Sequence, residues 1–246
     1  MKTKIIFILL VTLFAFSCKK EENSYVIPPE KRYLASVTDQ DGKTVLEVEY
    51  YDDRKFKKFI FSGTEYRYIY DDKGRVSSCF IGSGEVKYSY NAQGRIVSYA
   101  FAGKTYPVTY NAAENSYKFS WTSVDPVTLF LDGAGNCAKA INGATTANYF
   151  YENKNGPIKN GGNMSLANYI GYFPMFIASQ MYLNICATSM DGCIAGDGGA
   201  STSISYNNEY DNENFLLRSV ATTIYRDQSG KLGTTVATYT YHYIEL

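Results

Sequence analysis

Two acidic pairs, Asp52-Asp53 and Asp71-Asp72, are the residues whose type and spacing first suggest chemistry. Paired carboxylates cleave glycosidic bonds when they face each other across a cleft at a set distance. Here the two carboxylates of each pair are sequence neighbours behind a Tyr, in "YDDRK" and "YDDKG". Asp in that setting serves a turn, bonding its own backbone two residues on. A Ser-His-Asp arrangement would have to use His242, the single imidazole. His242 sits in "TYTYHYIEL", facing with Thr240 and Ile244 and opposite Tyr239, Tyr241 and Tyr243, and reads as a structural residue. There is no Gly-x-Ser-x-Gly elbow, P-loop or dinucleotide fingerprint. With one His and no Cys-x-x-Cys, a Cys/His zinc site is not expected. No catalytic residue, metal or cofactor is therefore assigned, and a hydrolase is the weakest of the functional readings.

Five cysteines are present: Cys18, Cys79, Cys137, Cys186 and Cys193. Cys186 and Cys193 flank "ATSMDG" and could close a small disulfide ring. The last four allow three complete pairings between which spacing does not choose, and buried free thiols are the other reading. "MDGCIAGDGGAST" (190–202) reads as a solvated Gly/Asp loop. Asp191 and Asp197 within it lack EF-hand spacing. Formal net charge is +0, so no basic surface argues for nucleic acid.

The elements that must position these residues are written as a repeat. "YDDKGRVSS" (70–78) returns as "YNAQGRIVS" (90–98), within a ladder starting at Tyr51, Tyr70, Tyr90, Tyr110, Leu131 and Tyr151. The steps are 19, 20, 20, 21 and 20, and after a gap the units at Tyr210 and Tyr225 follow. Before each turn runs a period-two stretch: "EYRYIY" puts Tyr66, Tyr68 and Tyr70 on one face and Glu65, Arg67 and Ile69 on the other. A polar pair enters the turn, and Gly74 or Gly94 supplies a positive φ. A second strand follows, "RVSSCFI" or "RIVSYAF". The prediction is an all-β fold, a long antiparallel meander of repeated hairpins in a strongly curved, barrel-like sheet, partly or fully closed. The units at 110 and 131 lack the Gly-Arg pair, so some turns must differ.

The N-terminus carries an address. "MKTKIIFILLVTLFAFS" (1–17) has a positive start and an apolar run of 12, Ile5 to Phe16, too short to span a bilayer. "AFSC" resembles the lipobox of bacterial lipoproteins, which implies lipidation at Cys18; Ala15 departs from the commoner Leu. "KKEE", Lys19, Lys20, Glu21 and Glu22, resembles the surface-export signal of Bacteroidetes-type lipoproteins. Residues 18–32 then form a lipidated Cys and flexible tether, and 33–246 a single repeat-built β domain. The implied location is the outer membrane, lipid-anchored and facing the cell exterior. The Tyr-Asp-x-x-Gly-Arg-Val/Ile phrase resembles the YD repeat of RHS-type proteins. With the lipoprotein head and the length, the chain resembles secreted Bacteroidetes lipoproteins of the DUF4595 type, a domain of unknown function with a porin-like fold. That resemblance implies an architecture and a location, and no reaction.

A true membrane barrel is disfavoured: spanning strands need ~9–11 residues, and most here read nearer seven. The ladder breaks after Tyr151, where "MSLANYIGYFPMFIASQMYLNI" predicts a short helical or irregular insertion near 164–190, with a helix opening at Pro174. It is read as a plug or cap on an open end of the sheet, with a mobile lid as the sharper alternative. Trp121, in "KFSWTSVD", is the aromatic outside the Tyr pattern and the candidate ligand platform. The functional expectation is a non-catalytic binding or scaffold lipoprotein, with an outer-membrane protein as possible partner. The alternative is a glycan-binding accessory lipoprotein of a polysaccharide-utilisation system.

Overall fold

The structure, a computed structural model, describes residues 32–120, 126–160, 170, 188–196 and 200–246. The predicted alternation runs through sixteen strands. The first eight are β1 (Arg32–Thr38), β2 (Thr44–Tyr50), β3 (Phe56–Phe61), β4 (Thr64–Tyr70), β5 (Val76–Ile81), β6 (Gly84–Tyr90), β7 (Ile96–Phe101) and β8 (Lys104–Asn111). There follow β9 (Ser116–Ser120), β10 (Pro126–Leu131), β11 (Cys137–Asn142), β12 (Thr145–Asn155), β13 (Thr188–Gly196), β14 (Ser201–Tyr210), β15 (Leu216–Arg226) and β16 (Leu232–Glu245). Each pairs antiparallel with its chain neighbours, and β16 returns to β1 through Tyr33↔Ile244 to Thr38↔Thr240. The sheet therefore closes on itself, and every strand has a partner on each side.

Because the meander is unbroken, the barrel has two distinct ends. Even-numbered strands finish, and β1 starts, at what we term the tyrosine end. Four two-residue connections lie at the opposite hairpin end. Ser62-Gly63 and Ala102-Gly103 have positive φ at both residues, and Gly82-Ser83 and Gly143-Ala144 put Gly first.

The tyrosine end uses a different device, which at the hairpin end recurs only in the longer β1–β2 and β15–β16 turns at Asp39 and Asp227 among the described residues. Asp71 N–H donates to the Arg75 carbonyl (2.8 Å), and Gly74 N–H donates to the Asp71 carbonyl (3.0 Å). The Asp71 carboxylate accepts from the N–H groups of Lys73 (3.0 Å) and Arg75 (2.8 Å). Gly74 holds φ +72° there, a left-handed value costly for other residues. Asn91, Asp132 and Asp211 make the same turn. After each turn one residue is left over: Tyr70 pairs with Val76 but Ile69 pairs with Ser78, so Ser77 bulges. The same slip recurs at β2–β3, β6–β7, β10–β11 and β14–β15. Repeated bulges bend and twist strands, which helps a meander curl far enough to close.

This turn corrects the sequence reading at two places, the first unit and the last. The first unit begins at Tyr50, not Tyr51: Tyr51 N–H bonds the Lys55 carbonyl (2.8 Å), so Tyr51 stands where Asp71 stands. Two adjacent tyrosines offered both registers, and with Tyr50 the first three steps are all 20. Arg54 replaces the usual Gly there at φ +66°. The last unit is shifted too, its turn residue being Asp227, preceded by Arg226 rather than Tyr225. Of the units without Gly-Arg, that at 131 keeps the turn, with Gly135 at φ +84° and Asn136 in the Arg position. The unit at 110 does differ: Ala112 to Asn115 link the paired Asn111 and Ser116, and Asn115 takes φ +48°.

The expected loop at 190–202 is largely sheet. Met190 to Gly196 belong to β13, and Ser201 and Thr202 open β14. Gly192 and Gly196 hid the strand because they lack side chains to alternate. The Gly192 backbone packs so closely that a Cβ would lie 2.9 Å from the Ile204 carbonyl oxygen. The expected insertion near 164–190, with Pro174, lies outside the described residues except at two points. Residues 188–190 are in β13, and Ile170 is helical, fully buried and part of the core.

The core is the inner face of the barrel. A sheet of sixteen strands encloses a wide interior, which long inward side chains fill: Tyr66, Tyr68, Tyr88, Tyr99, Tyr117 and Tyr241 are all buried. Facing rings stack between paired strands, Phe59 on Tyr66 at 4.4 Å and Tyr99 on Tyr106 at 5.0 Å. Such cross-strand aromatic pairs each add up to ~1 kcal/mol. This interior accounts for the buried tyrosines of the ladder.

Candidate functional site

One carboxylate of each acidic pair, Asp53 and Asp71, and the arginines Arg75 and Arg95 are committed to construction. Asp71 braces its turn and pairs with Arg75 (2.6 Å). Burial alone would raise the Asp71 carboxyl, but the Arg75 hydrogen bond and charge and the turn N–H groups hold it below the ordinary carboxylate value. The Arg75 guanidinium in turn lies over the ring of Tyr90, 4.2 Å from its centre. Arg95 does the same to Tyr110 at 4.2 Å, and Lys55 to Tyr70 at 5.4 Å. Tyr90 donates its hydroxyl to the Val76 carbonyl (2.7 Å), and burial pushes that phenol well up. The cation of one unit thus clamps the tyrosine of the next, fifteen residues on, around one end of the barrel. The acidic pairs are therefore turn residues, as the sequence indicated. His242 is exposed, with Nε2 3.1 Å from Thr38 Oγ1 on the neighbouring strand.

Where the repeat fails, the barrel wall changes character. On β12 to β15 the inward side chains form a polar network that the sequence did not flag. Tyr210 Oη donates to Glu152 (2.8 Å) and lies 2.7 Å from the Ser189 hydroxyl, and Asn208 Nδ2 donates to Glu152 (3.0 Å) and to the Met190 carbonyl (2.8 Å). Ser219 Oγ donates to Asn208 Oδ1 (2.7 Å). Ser189 and Ser219 are fully buried, so neither hydroxyl is placed to attack a substrate. The polar outward-or-inward ambiguity of "NNEY" hid this cluster: period two puts Asn208 inward with Tyr206 and Tyr210, but nothing local says that the core there is polar.

Beside this network, at the tyrosine end, lies a recess of about 380 Å³ lined by Arg32, Asn155, Lys159, Asn160, Glu213, Phe215 and Glu245. Strand termini assemble it: the start of β1, the ends of β12 and β16, and the β14–β15 turn. After β12 the chain turns inward, burying Gly156, Pro157 and Ile158, and Asn160 Nδ2 donates to the Arg32 carbonyl (2.8 Å). Arg32 contacts Asp211 directly and Glu213 at 4.0 Å, so its charge is compensated within the wall. Lys159 and Glu245 make no ion pair among the described residues. The recess can hold a small polar group, but it brings no nucleophile and base together.

Cys193 is a buried free thiol on β13, pushed up to about 12 by burial; Cys137, also buried and free, is likewise pushed up to about 12. Thiols so desolvated are inert at neutral pH. Cys186, which could have closed a ring with Cys193, lies outside the described residues. So do Cys18, Lys19, Lys20, Glu21, Glu22 and Trp121. Asp191 is exposed on β13, and Asp197 is outside the described residues.

Comparison with known proteins places this geometry. A solved structure of a porin-like protein from Bacteroides uniformis is 14% identical, with a TM-score of 0.39, covering 84% of this chain and 88% of that one. No curated protein matches the chain. The family model for the Teneurin YD-shell matches residues 30–155, more than half of the chain and the stretch over which the tyrosine ladder runs. By that match, and by a tyrosine–aspartate turn that rebuilds itself strand after strand, the chain belongs to the Teneurin YD-shell family.

Proposed function

We propose that the chain is a surface lipoprotein anchored at Cys18, and that its barrel is a non-catalytic binding or scaffold domain. The observation that carries this is the use of the repeat's reactive groups. Asp71, Arg75 and Tyr90, and their counterparts, brace one another into a rigid wall, leaving the outer surface as the working part. The charge distribution supports a tethered rather than a membrane-spanning barrel. Spanning barrels turn an apolar band outward and a polar face inward. Here β2 to β6 carry Glu47, Glu49, Lys58, Glu65, Arg67, Glu85 and Lys87 outward, while Val48, Phe59, Tyr68 and Val86 are buried inside. β1 starts at the tyrosine end, so the tether is taken to join the barrel there. Under this reading the hairpin end points away from the membrane.

Cell fractionation tests the anchor: Cys18→Ala should move the protein from the membrane to the soluble fraction, and retention on the membrane would sink the reading. Turnover of any polymer by the purified protein would sink the non-catalytic part. The second reading, a glycan-binding accessory lipoprotein, rests on Trp121, the aromatic that stands outside the tyrosine pattern of the sequence. Glycan-array binding that disappears with Trp121→Ala would favour it.

A further inference from the structure

Closure is not flush at the hairpin end. β16 pairs with β15 from Leu232, opposite Arg226, but with β1 only from Thr240, opposite Thr38. The stretch Leu232–Thr238 therefore overhangs the β1–β2 turn, with a strand on one side only among the described residues. At the rise of an extended strand it is about 20 Å long.

Alternate residues of an antiparallel strand turn their N–H and C=O groups to opposite neighbours. Asp227 N–H donates to the Lys231 carbonyl across the hairpin (3.1 Å), so the odd residues of β16 face β15 and the even ones face away. Leu232, Thr234 and Val236 thus present a row of backbone donors and acceptors with no strand opposite them among the described residues. At Thr238, where the row meets the rim, a side chain stands in for the missing strand: Gln40 Oε1, from the β1–β2 turn, accepts from the Thr238 N–H (3.4 Å). Open edges are ordinarily blunted by charge, proline or a bulge. "LGTTVAT" (232–238) has no charge and no proline, and β15 and β16 pair in unbroken register. Leu232 is 59% exposed and Val236 62%, and exposed Thr234 lies between them on the same face.

We propose that this overhang is a strand-addition site, which takes an extended peptide segment of another protein antiparallel to β16. The open backbone row names the occupant, because an extended backbone offers acceptors and donors at the same repeat. The direction follows from the lane, which continues the line of β1, itself antiparallel to β16. The side chains set the class of sequence. A segment of about six residues fits, with apolar residues opposite Val236 and Leu232. An acidic residue at its C-terminal end stands opposite Lys231, an exposed cation without an ion pair among the described residues. Proline is excluded wherever the segment must donate an N–H to β16. A second copy is the poorer occupant. Antiparallel pairing of two β16 edges points their tyrosine ends in opposite directions, which anchorage of both copies at Cys18 in one membrane forbids. That preference rests on the anchor reading; the open edge does not.

A fluorescein-labelled hexapeptide, Val-Thr-Val-Thr-Val-Glu-amide, tests the site on the purified full chain carrying Cys18→Ser. Its valines stand opposite Val236, Thr234 and Leu232, and its glutamate opposite Lys231. Fluorescence polarisation should show saturable binding with a Kd below about 1 mM. The amide protons of Thr234 and Val236 should exchange more slowly with the peptide bound, and that of Thr235, which faces β15, should not change. Replacing the central valine by proline should weaken binding about 10-fold through lost backbone bonds. On the protein, Thr234→Pro removes an N–H that faces away from β15, so the hairpin should keep its melt and lose binding by a similar factor. Lys231→Glu, a surface change that leaves the strand intact, should weaken the glutamate peptide and favour one ending in lysine. No saturable binding, equal binding of the proline peptide, or no protection at Thr234 and Val236 would overturn the proposal. So would a dimer in light scattering that Thr234→Pro dissolves, since the edge would then belong to a second copy. Failure of the anchor would leave these results untouched, since the background lacks the acylated cysteine.

Discussion

The strands β2 to β8 and β12 to β16 solve the same structural problem with opposite chemistry. In the first set the strands are six to eight residues long. Their inner face is aromatic and aliphatic, and their outer face is laced with ion pairs such as Lys58 with Glu49 at 2.9 Å. In the second set the strands run nine to fourteen residues. Polar side chains enter the interior, and Phe150, Ile194, Ile224 and Val236 stand exposed on the outer face. Exposed ion pairs contribute little stability but keep a surface wet and unattractive to partners. The regular half is thus an inert wall held from within. The irregular half gives up some core apolarity and exposes large apolar side chains on its outer face.

The comparison is most directly broken at a core tyrosine. Tyr68 is fully buried among facing rings. Tyr68→Ala should cost about 3–5 kcal/mol, by analogy with large aromatic truncations, seen as a lower urea midpoint. A loss under ~1 kcal/mol would mean that the aromatic interior is not what holds the repeats. On the other side, Ser219→Ala removes a fully buried hydroxyl that donates to Asn208 Oδ1, and loss of such a hydrogen bond costs about 0.5–1.5 kcal/mol. No change in the melt would show that the polar network is dispensable.

Comparable and smaller effects sharpen the role of the repeat turn. Gly94 holds φ +75° with open space where a Cβ would stand, so Gly94→Ala should cost about 1–2 kcal/mol of backbone strain alone. Arg95→Ala removes the cation over Tyr110 and should cost about 0.5–1 kcal/mol, with Arg95→Lys recovering part of it. The smallest is a pH effect at Asp71, whose folded carboxyl titrates below its ordinary value of 3.8. A depressed carboxyl contributes stability that is present above the unfolded value and lost as pH falls through the folded one. Asp71→Asn, which keeps the turn acceptor as Asn91 does, should flatten the stability curve below about pH 4. A slope identical to that of the parent protein would show that the Arg75 pair is screened.

The strand count of the regular half was legible because its signals agree: period-two alternation, a turn residue and a glycine return every twenty residues. Legibility stopped where those signals conflict or vanish. Tyr50 and Tyr51 are chemically alike, and only the Tyr51–Lys55 backbone bond decides which ends the strand. Gly192 and Gly196 made β13 read as loop, because a strand held by its neighbours' backbones need not announce itself in side chains. The recess at Arg32 and Glu245 joins residues from opposite ends of the chain, so no local pattern could have shown it. The polar network depends on four strands meeting, with β13 separated from β12 by a long insertion.

The sequence by itself determined the unit: tyrosine, Asx turn, positive-φ glycine, basic residue and return strand follow from backbone sterics and local hydrogen bonds. It also determined that these units form a curved antiparallel meander, since short connections permit little else. Tertiary structure decided that sixteen strands close on themselves, because closure depends on β16 finding β1 across the whole chain. It also decided what each basic residue of the ladder does, since Arg75 meets Tyr90 only once the next hairpin has been laid beside the first.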